Sequence, residues 1–252
     1  MRYVKVFFVL ALVAWGAWGT WINIAPQVQA ELNWRELRAR GTLRVGIDPG
    51  VQPFSFDDAS GWNGFDADLA RELAARMKLQ LSSDSVGYDS IYDALQTRRV
   101  DIALSALAPD PNRTADFSYS QSYFDAGSHL LSNTPIHSFT ELTHKRVAVS
   151  LGSEADQLLR FWERRVPHLQ RLPLANDADA LAALHNGEAD AALVAVFAAL
   201  AFTTEHAISL APRPLVIALR SQDRRLLREI NLALDQMQQD GTLDKLVAKW
   251  IK

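Results

Sequence analysis

VDIALSALAPDPNRTADFSYSQSY, residues Val100 to Tyr123, decides how the chain is read. Asp101–Leu104 reads as a buried strand. Ser105–Pro111 is a loop of small residues and prolines, and Arg113 is the lone basic residue after it. A guanidinium placed after a strand and a flexible loop is well set to grip a carboxylate with its planar fork. A loop arginine in isolation is as readily a solvated surface charge. The flanking sequence decides between the two.

Upstream, Leu43–Ile47 (LRVGI) reads as a strand and Asp48–Gln52 as a turn punctuated by Pro49 and Gly50. Phe65–Met77 places Phe65, Leu69, Leu73 and Met77 at i, i+4 spacing, with acids early and arginine late. That pattern predicts an amphipathic helix. Gln80–Val86 reads as a strand, Ile91–Gln96 as a helix and Val100–Leu104 as the next strand. A β-α-β-α-β order implies a parallel sheet with ligand groups at the carboxyl ends of its strands.

Downstream the order is repeated without a sequence repeat. Strands are expected over Arg146–Ser150, Gln170–Leu174, Asp190–Val194 and Leu215–Leu219. Helices are expected at Phe139–Leu142 and over Glu154–Arg164, Asp177–Asn186, Asp223–Gln239 and Thr242–Trp250, with a lead-in helix at Trp34–Arg40. The fold class is therefore α/β, in two comparable parts.

The 252 residues are 48% hydrophobic and 22% charged, with a formal net charge of −3. With no Lys/Arg-rich block, nucleic-acid binding has no electrostatic support. The chain has no cysteine, so disulfides, thiolate chemistry and Cys-based zinc sites are excluded. Its six histidines show no metal-ligand spacing, and neither a metal nor a cofactor is expected. Arg2 and Lys5 bracket the start of an apolar run, Val6–Gly19, and a polar stretch ends in Val28-Gln29-Ala30. Residues 1–30 read as a signal peptide, with an uncleaved membrane anchor as the alternative. The chain is then periplasmic or otherwise extracytoplasmic.

Seven segments in this order carry a family likeness: LRVGIDPGVQPFSF, GFDADLARELAARM, YDSIYDALQTRRVDIALSALAPDPNR, FSYSQSYF, RVAVSLGS, LHNGEADAALV and LALDQMQQDGTLDKLVAKW. From Leu43 to Trp250 the chain resembles the family 3 periplasmic solute-binding proteins, the amino-acid receptors of ABC importers. The resemblance implies a two-lobed type II periplasmic-binding fold with two crossover strands, near Tyr119–His129 and Ala211–Ile217. Lobe one would be 31–125 plus 215–252 and lobe two 126–214, with solute in the cleft. It implies a monomeric, non-catalytic receptor whose partners are a small carboxylate-bearing solute and the importer's membrane subunits.

By the same resemblance Arg113 matches the carboxylate-binding arginine and Ser105 a polar loop position. Asp48 would face the ligand and Tyr88 would pack on its side chain. Gly152 and Ser153 match a turn that offers backbone N–H groups, with Glu154 beside it. Three positions depart from the pattern. Val51 replaces an aromatic platform, Ala108 a hydroxyl residue and Ala195 the acid that binds the ammonium. A buried ammonium without a partner costs several kcal/mol. The remaining polar set therefore suits an organic acid, or an amino acid in an altered pose. Two other classes stay open: a membrane-anchored sensor module, and an enzyme like the family's dehydratase offshoot, with Glu154 as its general acid.

Overall fold

The computed structural model describes residues 25–59, 61–200, 202 and 206–251. The expected leader lies outside them except for 25–30. Those six residues belong to a helix, α1, described over residues 25–40, so the lead-in helix is longer than Trp34–Arg40. Residues 27–40 hold no glycine or proline, and good helix formers dominate them. Among the described residues no helix is long and apolar enough to cross a membrane.

The contacts divide the chain into two compact units. The first runs to Gln121 and resumes over Ile217–Thr242, and the second is Ser122–Val216, resuming at Leu243. The sequence reading kept all of 215–252 in lobe one. The division at Thr242 follows Gly241, whose φ of +73° turns the chain into a last helix with its own buried residues, Leu243 and Leu246.

The first unit contains β1 (Thr42–Ile47), β2 (Gly50–Val51), β3 (Ser55–Asp58), β4 (Gly61–Asn63), α2 (Phe65–Arg76), β5 (Gln80–Ser85), α3 (Ile91–Gln96), β6 (Ile102–Ala103) and β7 (Phe117–Tyr119). Its main sheet has the order β5-β1-β6-β15-β7, where β15 is Ala218–Arg220. β1 lies parallel to β5 and β6, and β15 runs antiparallel to β6 and β7. The helix pattern is met on α2: Phe65, Leu69 and Leu73 are fully buried. The helix begins at Gly64, with φ +117°, where a Cβ would stand 2.2 Å from the Phe54 carbonyl oxygen. That close approach lets Phe65 and Asp66 donate their N–H groups to Pro53 and Phe54.

The second unit contains β8 (Phe124–Asp125), β9 (Ser128–Ser132), β10 (Arg146–Ser150), α4 (Glu154–Glu163), β11 (Gln170–Leu174), α5 (Asp177–His185), β12 (Ala191–Ala195), α6 (Val196–Leu200), β13 (His206–Ala211) and β14 (Pro214–Leu215). Its five-stranded sheet has the order β11-β10-β12-β9-β13, and β14 pairs with β8. The parallel strands β10 and β12 are buried on both faces, so they read as near-continuous apolar runs. Val147, Val149, Ala191 and Leu193 pack with Leu159 of α4, while Ala148, Ala192 and Val194 pack with Ala180 and Leu184 of α5. Phe139–Leu142, expected to begin a helix, makes a single 3₁₀ turn. In the first unit, α7 (Arg224–Gln239) packs against α2. α8 (Thr242–Trp250) follows it.

Candidate functional site

Three of the expected residues meet at the carboxyl end of the first sheet. Asp48 follows β1, Tyr88 follows β5 and Ser105 follows β6. The Asp48 N–H donates to Ser105 Oγ at 3.0 Å, and that hydroxyl donates back to the Asp48 carbonyl at 3.2 Å. The Asp48 carboxylate accepts from the N–H of Gly50 at 2.9 Å and from that of Tyr88 at 3.0 Å. Ser105 is fully buried, so its hydroxyl serves to join two loops. Asp48 forms an Asx turn before Pro49 and also holds Tyr88 in place. The Tyr88 ring stays free, 46% exposed.

The loop beyond Ser105 is fixed by an acid that sequence reading recorded only as helix-terminal. Asp66, fully buried in the first turn of α2, accepts the Ala106 N–H at 2.7 Å, and Ala106 is held at φ +48°. The chain then reaches a 3₁₀ turn, Pro111–Arg113, capped by the Asp110 side chain on the Asn112 N–H.

Arg113 is built as a presented group. Its guanidinium carbon lies 4.4 Å from the centroid of the Tyr92 ring, and its Nε donates to Asp110 Oδ2 at 3.2 Å. Tyr92 is in turn held by an edge-on contact with Phe117 and a 3.3 Å hydroxyl contact with Tyr119, whose hydroxyl also donates to the Asp110 carbonyl. Burial, and then the hydrogen bond with Tyr119, push the Tyr92 hydroxyl well above its ordinary range, so it stays neutral under the cation. Neither terminal nitrogen of Arg113 has a partner among the described residues, and the side chain is 47% exposed. A stacked guanidinium anchored through Nε and open at both Nη atoms is arranged for bidentate carboxylate binding. Sequence reading found Arg113 but missed Tyr92 and Asp110. Asp110 had a local signal, the i, i+3 step to Arg113, and Tyr92 had none.

In the second unit the turn after β10 is occupied by its own chain. Gly152, at φ +81°, donates its N–H to Asp156 Oδ2 at 2.9 Å. Ser153 caps α4 by accepting the Asp156 N–H at 3.0 Å and donates its hydroxyl to the Ser150 carbonyl at 2.7 Å. The buried Asp156 pairs with Arg160 at 2.9 Å and Arg171 at 2.7 Å. Burial raises its carboxyl, but the Arg160 hydrogen bond, the Gly152 N–H and the charges of Arg171 and Arg160 outweigh that and hold it below the usual range. The glutamate beside this turn, Glu154, is 81% exposed, 3.8 Å from Arg213.

The departures also have a structural outcome. Ala195 ends β12, and its N–H donates to Asp177 Oδ2 at 3.1 Å, so a carboxylate from the start of α5 reaches this strand end. Sequence reading placed Asp177 at a helix start without giving it this role. Trp62 is 8% exposed and donates its indole N–H to Ser55 Oγ at 2.9 Å, so it packs within the first unit. Among the described residues no cluster of three or more His, Cys, Asp or Glu could hold a metal.

Residues 43–252 match the bacterial extracellular solute-binding proteins, family 3. The L-cystine-binding protein TcyJ of Escherichia coli strain K12 is 28% identical over 227 residues, covering 85% of this chain and 84% of the relative. Among solved structures, an ancestral cationic amino-acid solute-binding protein is 35% identical with a TM-score of 0.59, covering 86% of this chain and 99% of that one. An ancestral cyclohexadienyl dehydratase is 25% identical with a TM-score of 0.67, covering 86% and 95%. The match takes in both α/β units and the segments that join them, so the chain has the two-lobed type II fold and belongs to the family 3 extracellular solute-binding proteins.

Proposed function

We propose that this protein is the extracytoplasmic receptor of an ABC importer, binds a small carboxylate-bearing solute and leaves it chemically unchanged. The observation that carries the reading is the Arg113 guanidinium, stacked on Tyr92 and tethered to Asp110 with both Nη atoms uncommitted. Tyr88, exposed and held by Asp48, is the proposed apolar contact for the solute's body. Asp48, Ser105, Gly152 and Ser153 are proposed to shape the loops, since their own chain already uses their polar groups. An organic acid needs no partner for an ammonium, and is proposed beside an α-amino acid as the solute class.

The test is a thermal-shift screen with L-amino acids, dicarboxylates and keto acids, followed by calorimetry on the hits. A solute at 100 times its Kd stabilises the fold by about 2.7 kcal/mol. At about 2–4 °C per kcal/mol that is a rise of roughly 5–10 °C. If no carboxylate in the panel shifts the transition while a neutral or cationic solute does, the proposal fails.

The second reading, a dehydratase, is favoured by the likeness to the ancestral cyclohexadienyl enzyme. Its nominated acid, Glu154, stands in solvent, whereas a general acid must be held against its leaving group. Turnover of a cyclohexadienyl carboxylate, lost in Glu154→Gln, would establish the enzyme instead.

A further inference from the structure

A cavity of about 150 Å³ lies within the first unit, with α1 forming one wall. It sits at the amino ends of β1 and β6, opposite the loops that carry Arg113. Four arginines line it: Arg40, Arg44, Arg98 and Arg220. Three acids face them: Glu36, Asp101 and Asp223. The lining is therefore cationic by one charge.

The acids are already taken up unequally. Asp101, 3% exposed, accepts from Arg44 Nη2 at 2.8 Å, from the Arg44 N–H at 2.9 Å and from Arg40 Nη2, with Arg220 Nη2 3.9 Å away. Asp223, also 3% exposed, faces Arg220 Nη2 at 2.7 Å and accepts from Asn33 of α1 at 2.6 Å. One cation and one buried donor are left over. Arg98, at φ +60°, has no ion pair among the described residues. Arg220 is 7% exposed, spends Nη1 on the Leu95 and Val100 carbonyls, and leaves Nε without a hydrogen-bond partner. A buried donor left unpaired is costly, and a guanidinium cluster with excess charge favours an oxyanion. The volume is roughly ten times the ~15 Å³ that one water needs, enough for a small ion with attendant waters.

We propose that this cavity binds a small free oxyanion of the phosphate class, which ties α1 to the body of the first unit. The ion completes the charge balance that Asp101 and Asp223 leave short, and Arg98 is its outer ligand. The site is separate from the Arg113 clamp and does not depend on the nature of the transported solute.

Inorganic phosphate replaces chloride at constant ionic strength, and thermal stability and hydrogen exchange over residues 31–40 of α1 are measured on the exported protein. A saturable rise in the transition, with slower exchange in α1, is expected. Arg98→Gln, at an exposed position, weakens the apparent phosphate affinity about tenfold, the loss of one charge-assisted hydrogen bond. Arg113→Ala leaves the phosphate effect in place. The proposal is overturned if phosphate does no more than chloride, or if the effect survives Arg98→Gln undiminished. Loss of the effect in Arg113→Ala also overturns it, by assigning the ion to the carboxylate clamp.

Discussion

Replacing Arg113 by alanine separates recognition from folding more cleanly than any other change in this chain. The two free Nη atoms offer two charge-assisted hydrogen bonds to a carboxylate, each contributing about 1.5–3 kcal/mol. Their loss costs about 3–6 kcal/mol, which weakens Kd by roughly 10² to 10⁴. The folded protein loses far less. The side chain is half exposed, its stacking on Tyr92 contributes about 0.5–1 kcal/mol, and the Asp110 pair at 3.2 Å contributes at most about 1 kcal/mol. The unliganded transition should therefore fall by only a few degrees. Isothermal calorimetry with the best carboxylate from the screen, beside a thermal scan without solute, reads both quantities. Arg113→Lys should recover part of the charge but not the fork, and bind between the two. A Kd within threefold of the parent in Arg113→Ala would refute the clamp, and a collapse of the unliganded transition would show that Arg113 is a structural residue.

Three further outcomes follow from the geometry. Gly64→Ala forces a Cβ to 2.2 Å from the Phe54 carbonyl oxygen at φ +117°, and should cost about 3 kcal/mol or more in urea denaturation; Gly61→Ala, at φ +100° with open space around it, should cost about 1–2 kcal/mol, and equal costs would remove the steric argument. Asp156 has a carboxyl depressed in the folded state, so its stabilisation is complete above the unfolded value near ~3.9 and is lost as pH falls through the lower folded value. Denaturation midpoints between pH 6 and pH 2.5 should fall less steeply in Asp156→Asn than in the parent, and parallel curves would show that the pairs with Arg160 and Arg171 do not couple to folding. Asp177→Asn keeps an oxygen for the Ala195 N–H, whereas Asp177→Ala removes it and should cost about 1 kcal/mol more in urea denaturation; equal costs would show that this bond does not hold the end of β12.

The elements most legible in the sequence were those whose periodicity is enforced by burial. β10 has the expected bounds, and β12 lies within one residue of them, because a strand covered on both faces declares itself as an apolar run between turn residues. α2 declares itself through Phe65, Leu69 and Leu73. β13 was missed because it is an edge strand with only half-buried alternate residues, a pattern that also fits a loop. At the site, Arg113 could be found because its spacing from Asp101 is local. Tyr92, which stacks under it, and Asp66, which fixes Ala106, act across 21 and 40 residues of sequence, beyond any local pattern. Gly152 and Ser153 were read as donors to a solute. Nothing local to the turn shows that the acid four residues on from Gly152 would take its N–H, because an acid in the first turn of a helix is as commonly a surface residue facing the helix dipole.

That difference between offered and consumed groups sorts the candidate residues further than proximity does. A polar group already satisfied within the fold can meet a solute only by giving up a bond, and it gains little net free energy from the exchange. Ser105 Oγ, the Asp48 carboxylate, the Gly152 N–H and the Ser153 hydroxyl are all in that position. Both Nη atoms of Arg113 are not, nor is the ring of Tyr88. Substitutions in the consumed set should therefore move stability and affinity together, since they act on a solute only by displacing a loop. Substitutions in the offered set should move affinity far more than stability. A plot of one change against the other across Ser105→Ala, Asp48→Asn, Tyr88→Leu and Arg113→Ala should fall into two groups. If Ser105→Ala weakened binding with no loss of stability, a buried hydroxyl would be reaching the solute, and the loops after β1 and β6 would have to open on binding to let it do so.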